Sequence, residues 1–172
     1  MENATVVNRL REALPDAILE VDERFGDLSL RIHPDHLVDV AAMLRDEPDL
    51  NYSLLENLCG VDYLGREPRF EVVYHLLSFE NIHRVCLKVG VPESNPTVQT
   101  LTDLWPTANW QEREAYDMFG IHFAGHPSLD RILMPEDWEG HPQRKDVPLG
   151  YEEVAFTFNE EKIYAHKPFA KR

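Results

Sequence analysis

Three carboxylates, Glu112, Glu114 and Asp117, fall in one six-residue window, and three imidazoles follow at His122, His126 and His141. Paired carboxylates can act as general acid and base. His122 and His126 stand at i, i+4, a spacing that on a helix presents two nitrogens to zinc. Gly120 and Gly125 bracket that pair and argue against a helix there. No GxSxG, GxGxxG or GxxxxGK(S/T) pattern supplies a nucleophile or a phosphate cradle. Two cysteines, Cys59 and Cys86, are too few for an iron–sulfur cluster or a Cys-only zinc site. They read as free structural thiols of a reducing compartment rather than a disulfide scaffold. Chemistry carried by this chain alone is therefore not indicated, and no catalytic, cofactor-binding or metal-ligating residue is assigned.

The same residues belong to a denser feature. Trp110–Pro148 holds two Trp, two Phe, three His, three Arg, one Lys and eight carboxylates. Such a run is costly to bury and elaborate for a loop, and it reads as a surface shaped to another macromolecule. Trp110, Arg113, Glu114 and Asp117 share one side of a helix at i, i+3, i+4 and i+7. That spacing fits equally a solvated helix with weak ion pairs. Arg144 and Lys145 form a basic pair suited to a partner's carboxylates. Trp and Arg are the types that most often dominate interface energy. The candidate partner-binding set is Trp110, Arg113, Glu114, Asp117, His126, Arg131, Trp138, His141, Arg144, Lys145 and Asp146.

Elements able to carry this stretch are legible upstream. Val6, Val7, Leu10 and Leu14 line one helical face, ended by Pro15. Ala17–Asp22 and Asp27–Ile32 read as a hairpin about Gly26. Pro34 opens a second helix with Leu37, Val38, Ala41 and Leu44 inward. Leu54–Tyr63 is a strand in which Gly60 marks a bulge or bend. Phe70–Leu76 and Val85–Val91 alternate as further strands around a turn at Glu80–Asn81. Asn95-Pro96 predicts a short helix carrying Val98, Leu101 and Leu104, broken at Trp105-Pro106. Asn109 and Glu112 form a capping-box pair for the next helix, with Gly120 as its C-cap. Ile121 and Phe123 suggest a short strand, Pro135–Gly140 one helical turn, and His141–Pro148 an extended run. The fold class is α+β, a largely antiparallel sheet with helices on one face and an extended C-terminal arm. The expected division is a core at 1–125 and a partner-wrapping segment at 126–172. Within it Tyr151–Arg172 reads as an arm that orders on binding.

A net charge of −14 disfavours nucleic acid and anionic lipid as main partners. No apolar run reaches the roughly 20 residues of a membrane span, and the N-terminus lacks a signal-peptide core.

The run EREAYDMFGI, followed by GHP, LDRILMPEDWEGHP and RKD, resembles the signature of the C-type (30-kDa) subunit family of NADH-quinone oxidoreductase, respiratory complex I. LLENLCGVDYL and FEVVYHLLS are similar to the family's domain. Gln143 and Val147 depart from its commonest pattern, Leu and an aromatic. The resemblance implies a cofactor-free docking element of the peripheral arm, on the cytoplasmic side of the cell membrane. It implies contact with the D (49-kDa-type) subunit, with the B and I subunits nearby. FMN, iron–sulfur clusters and quinone would belong to those other subunits, which pass electrons from NADH to quinone and drive proton translocation. An equivalent subunit of a membrane-bound [NiFe] hydrogenase or a ferredoxin-driven complex is the alternative. A metal-dependent enzyme using His122, His126 and His141 is the remote one.

Overall fold

The computed structural model describes residues 1–147 and 156–166. Helix α1 (Asn3–Ala13) buries Val6, Val7 and Leu10 at helical spacing. Strands β1 (Ile18–Asp22) and β2 (Leu28–Ile32) pair antiparallel with a bulge between Ile18 and Glu20. A 3-10 turn at Pro34–His36 leads into α2 (Leu37–Asp46), which buries Leu37, Val40, Ala41 and Leu44. Strands β3 (Leu54–Asp62), β4 (Phe70–Ser78) and β5 (His83–Val91) form the antiparallel meander. β5 also pairs with β2 in parallel, so the five-stranded order is β1-β2-β5-β4-β3.

Strand alternation puts two different surfaces on the two sides of this sheet. Leu28, Leu30, Ile32, Phe70, Val72, Tyr74, Leu76, Val85, Leu87, Val89 and Val91 face one core, shared with buried residues of α1 and α2. The opposite face carries Arg31, Glu71, His75, Cys86 and Lys88, with Arg31 bridging Glu20 and Glu71 at 3.2 and 2.7 Å. Cys59 and Cys86 are free thiols on this open side.

Three expectations about the core elements need correction. Val38, read as facing inward, is exposed, and Val40 takes its place on the buried face of α2. The segment after Pro96 is a strand, β6 (Thr97–Gln99), paired in parallel with β7 (His122–Ala124). Leu101 and Trp105 are still buried, but through turns; the Trp105 indole donates to Tyr52 O at 3.2 Å. The non-local pairing with β7 supplies the backbone partners a helix would have supplied. The sheet's irregularity in β3 lies between Leu55 and Asn57, whereas Gly60 is regular strand. A Cβ on Gly60 would stand 2.7 Å from the Phe119 ring, so glycine there admits the helix above it.

Between β6 and β7 runs α3 (Ala108–Phe119), packed across β3 and closed by Gly120 at φ 74°. Beyond β7 the chain is irregular to Val147. Phe156 and Phe158 stack at 5.5 Å ahead of α4 (Glu160–His166), in which Ile163 is buried. The remainder of the Tyr151–Arg172 arm lies outside the described residues. Among the described residues no helix is long and apolar enough to cross a membrane.

Candidate docking site

Helix α3 starts at Ala108, after turns in which Ala108 and Asn109 donate to Trp105 O and Pro106 O. Glu112 does not form the expected capping box. Its side chain is fully buried and accepts from Leu101 N at 2.8 Å and from Thr100 Oγ1 at 2.5 Å. Burial pushes its carboxyl up to about 7, against the opposing pull of those two donors. The nearby Tyr74 hydroxyl is buried with no hydrogen-bond partner among the described residues.

Linkage turns that shift into a pH dependence. An unfolded Glu sheds its proton near pH 4.5, whereas the folded chain keeps it to about pH 7. Glu112 therefore favours folding fully below pH 4.5, and that contribution drains away as pH rises to 7. The drop is about 3 kcal/mol in all, at about 1.4 kcal/mol per pH unit. Urea unfolding between pH 5 and 8 is expected to show this slope in the native chain and to lose it in Glu112→Gln; equal slopes in the two would refute it.

Asp117, also fully buried, sits on a different side of α3. It accepts from Arg131 Nη1 at 2.6 Å and from the backbone N–H of Ile132, Leu133 and Met134 at 3.1, 2.8 and 2.9 Å. Burial alone would raise its pKa, but the three amides and the guanidinium outweigh that and hold the carboxyl below its ordinary value. Arg113 donates to Asp130 O and Arg131 O while lying 5.0 Å over the Trp110 ring. The His126 ring meets Asn109 O through Nε2 and accepts from Ser128 N through Nδ1.

The following residues are fastened to the helix terminus. Arg131 Nη2 donates to Gly140 O, and His141 Nδ1 meets Asp117 O at 3.0 Å. Arg144 Nε donates to Phe119 O at 2.6 Å, and Gln143 N to Met118 O. Gly120 is required here twice over. Its φ is left-handed, and a Cβ would meet both the His141 ring and Arg144 Nη2 at 2.5 Å. Pro135–Gly140 is a turn closed by Trp138 N to Pro135 O, not a helical turn. His141–Val147 is not extended; Arg144 N and Val147 N each close a turn onto the residue three back. The turned segment brings His141 Nδ1, Gln143 N and Arg144 Nε onto the last carbonyls of the helix, at Asp117, Met118 and Phe119.

No sequence signal announces the third anchor. Arg69, nearly fully buried, pairs with Asp62 at 2.9 Å, Glu93 at 2.5 Å and Asp146 at 2.7 Å. Asp62 Oδ2 also accepts from Lys145 N. The Arg69 guanidinium beside them holds the Asp62 and Asp146 carboxyls low. No spacing rule links positions 62, 69, 93 and 146; the ends of β3, β4 and β5 bring the first three together, and the turn at 144–147 adds Asp146.

Most of the candidate partner-binding set is thus occupied within the chain: Arg113, Asp117, His126, Arg131, His141, Arg144 and Asp146 all bond internally. Trp110 and Trp138 remain 61% and 46% exposed, and Glu114, Leu133 and Lys145 also face solvent. Among the described residues no three His, Cys, Asp or Glu side chains converge as a metal site. His122, His126 and His141 stay apart in role, the last two held by backbone.

Comparison with known proteins decides the family. The model of the respiratory-chain NADH dehydrogenase 30 Kd subunit matches residues 30–153. The chain belongs to this family. A C-type subunit of NADH-quinone oxidoreductase from Roseiflexus castenholzii is 71% identical over 171 residues, covering 99% of this chain and 98% of the relative. One from Herpetosiphon aurantiacus is 60% identical over 99% of both chains. A solved trypsin-resistant fragment of Nqo5 superposes with a TM-score of 0.63 at 31% identity, covering 73% of this chain and 98% of that one. A chain from an archaeal membrane-bound sulfane sulfur reductase reaches 0.73 at 24% identity, over 98% of this chain and 93% of that one, a likeness of fold alone. The family model spans β2 through the stapled segment, so the buried Asp117 and Arg69 anchors lie inside the part that matches.

Proposed function

We propose that this subunit of NADH-quinone oxidoreductase is a docking element that carries no redox group of its own. Its core would hold the 126–147 segment as a preformed surface against the D (49-kDa-type) subunit, near the B and I subunits. FMN, iron–sulfur clusters and quinone would sit in other subunits, and the chain would lie peripherally on the cytoplasmic side of the cell membrane. The observation that supports this most is the direction of the polar bonds. Asp117, Arg131, Arg144 and Arg69 are all spent on fixing an irregular segment, and Trp110 and Trp138 are left outward. Fixing a surface before contact lowers the entropy lost on association. The 126–172 segment would then wrap the partner, the arm beyond Val147 extending the contact. The relatives at 71% and 60% identity are named as NADH-quinone oxidoreductase subunits, which favours this reading over an equivalent subunit of a hydrogenase-type or ferredoxin-driven complex.

The test is Trp110→Ser with Trp138→Ser in the intact enzyme. Truncating an interfacial Trp typically costs about 2–4 kcal/mol, so recovery of the subunit in the purified complex is expected to fall at least about tenfold. The isolated variant should unfold at the native temperature. Normal recovery of the complex would make both indoles solvent decoration.

A further inference from the structure

The opposite end of the sheet carries a second set of bare apolar side chains that the docking site does not use. Phe25 is fully exposed, Ile82 is 89% exposed and Phe79 63%. Phe25 sits in the β1–β2 connection, while Phe79 and Ile82 sit in the β4–β5 hairpin turn. β2 and β5 begin side by side, Leu28 opposite Val85, which brings the two connections to one end of the sheet. A pocket of about 390 Å³ lies there, lined by Gly26, Asp27, Leu77, Phe79, Ile82 and Arg84 among others.

Both turns place a bulky residue where backbone sterics oppose it. Phe25 has φ 62° and Ile82 φ 48°. A left-handed conformation is rare for bulky residues and rarest for β-branched ones. Asn or Gly would relieve either turn without disturbing a buried contact, since neither side chain is buried. The Ile82 turn is nonetheless rigidly held. Asn81 Nδ2 donates to Asp49 O, Leu50 O and Ser78 Oγ. His83 is clamped between Tyr52 OH at 2.7 Å and Asn3 Oδ1 at 2.9 Å. Ile82 is thus presented to solvent by a fixed frame, the arrangement expected of an interface anchor.

Charge specifies what could cover it. Arg24 is neutralised by Asp22, and Arg84 by Glu56. Arg84 is shared with Asp27, while Glu23 and Glu80, adjacent to the apolar residues, have no ion-pair partner among the described residues. The Met1 ammonium, 3.5 Å from Asn81 O, offsets one of them. The rim is therefore acidic. It repels anionic lipid, and it repels the same rim on a second copy.

We infer that the Phe25–Phe79–Ile82 end of the sheet is a second docking surface. It takes an apolar patch of a neighbouring polypeptide, flanked by Lys or Arg, in the assembled oxidoreductase. The nine-residue strands put about 30 Å between this end and the Arg69–Asp146 anchor that holds the far end of the 126–147 segment, and Phe25, Phe79 and Ile82 belong to connections outside that segment.

The test uses the full chain in its complex, with a benzoylphenylalanine photoprobe at position 79 and a control probe at position 110. The expected adduct from position 79 joins another protein of the purified complex, at a peptide with Lys or Arg within a few residues. A photoadduct to lipid, to a second copy or to nothing overturns the proposal. The control reports on the other surface, so loss of both adducts and loss of the position-79 adduct alone are distinguishable, and either overturns it. A second variant guards against a folding artefact. Ile82→Asn is expected to raise the isolated chain's Tm by about 2–4 °C, yet to lower its recovery in the complex about fivefold or more. A stabilised variant with full recovery would mark Ile82 as a turn residue and nothing else.

Discussion

Asp117→Ala is expected to lower stability by about 3–5 kcal/mol, the range for removing one member of a buried ion pair. The substitution leaves the Arg131 guanidinium and the amides of Ile132, Leu133 and Met134 without their acceptor. Each amide left dry costs about 1–3 kcal/mol, so the loop will open to water rather than stay in place. The effect should therefore be local as well as global. Trypsin should cut at Arg131 much faster in the variant, while the β3–β5 amides remain protected from hydrogen exchange. Asp117→Asn keeps one acceptor oxygen and should fall between the two. Equal cleavage rates in the native and alanine chains would show that the segment is held by something else.

Arg69→Met should be nearly as severe for a different reason. Methionine fills the volume, but Asp62, whose side chain is 1% exposed, keeps only the Lys145 amide. An unpaired buried carboxylate costs about 3–5 kcal/mol, and the pH dependence should invert. In the native chain Asp62 has a lowered pKa, so its contribution is present above the ordinary carboxylate range and is lost as acid titrates it. In Arg69→Met burial would dominate and raise that pKa, making the variant most stable in acid and weaker as pH rises. Urea midpoints at pH 4 and pH 7 separate the two behaviours. A variant that loses stability in acid as the native chain does would place Asp62's stabilisation elsewhere.

These two anchors also show what the residues announce and what they withhold. The meander is written in alternating Phe70, Val72, Tyr74 and Leu76 against Val85, Leu87, Val89 and Val91, and both N-terminal helices in their apolar spacing. Gly120 signals its own cap. Thr97–Gln99 reads as helix because its neighbours mimic one, and only pairing with residues 122–124 decides otherwise. Glu112 fits a capping box by spacing, yet its carboxyl turns away to Leu101 N. Arg131 and Arg144 look addressed to a partner, but their donors find Asp117 and Phe119 O first. Charge density in a sequence marks a place of recognition without saying whether the recognition is internal. Asp62, Arg69 and Glu93 carry no local signal, since strand ends assemble them, and Asp146, read as facing a partner, closes on Arg69 instead.

The parallel pairing of β2 with β5 has a consequence for how the chain comes off the ribosome. Residues 28–32 emerge early but gain their seam partner only when residues 85–89 have been made. At about 5–20 residues per second that interval is roughly 3–12 s, during which Leu28, Leu30 and Ile32 lack half their cover. Synthesis rate, or a chaperone on the nascent N-terminal third, should then govern yield more than the final free energy does.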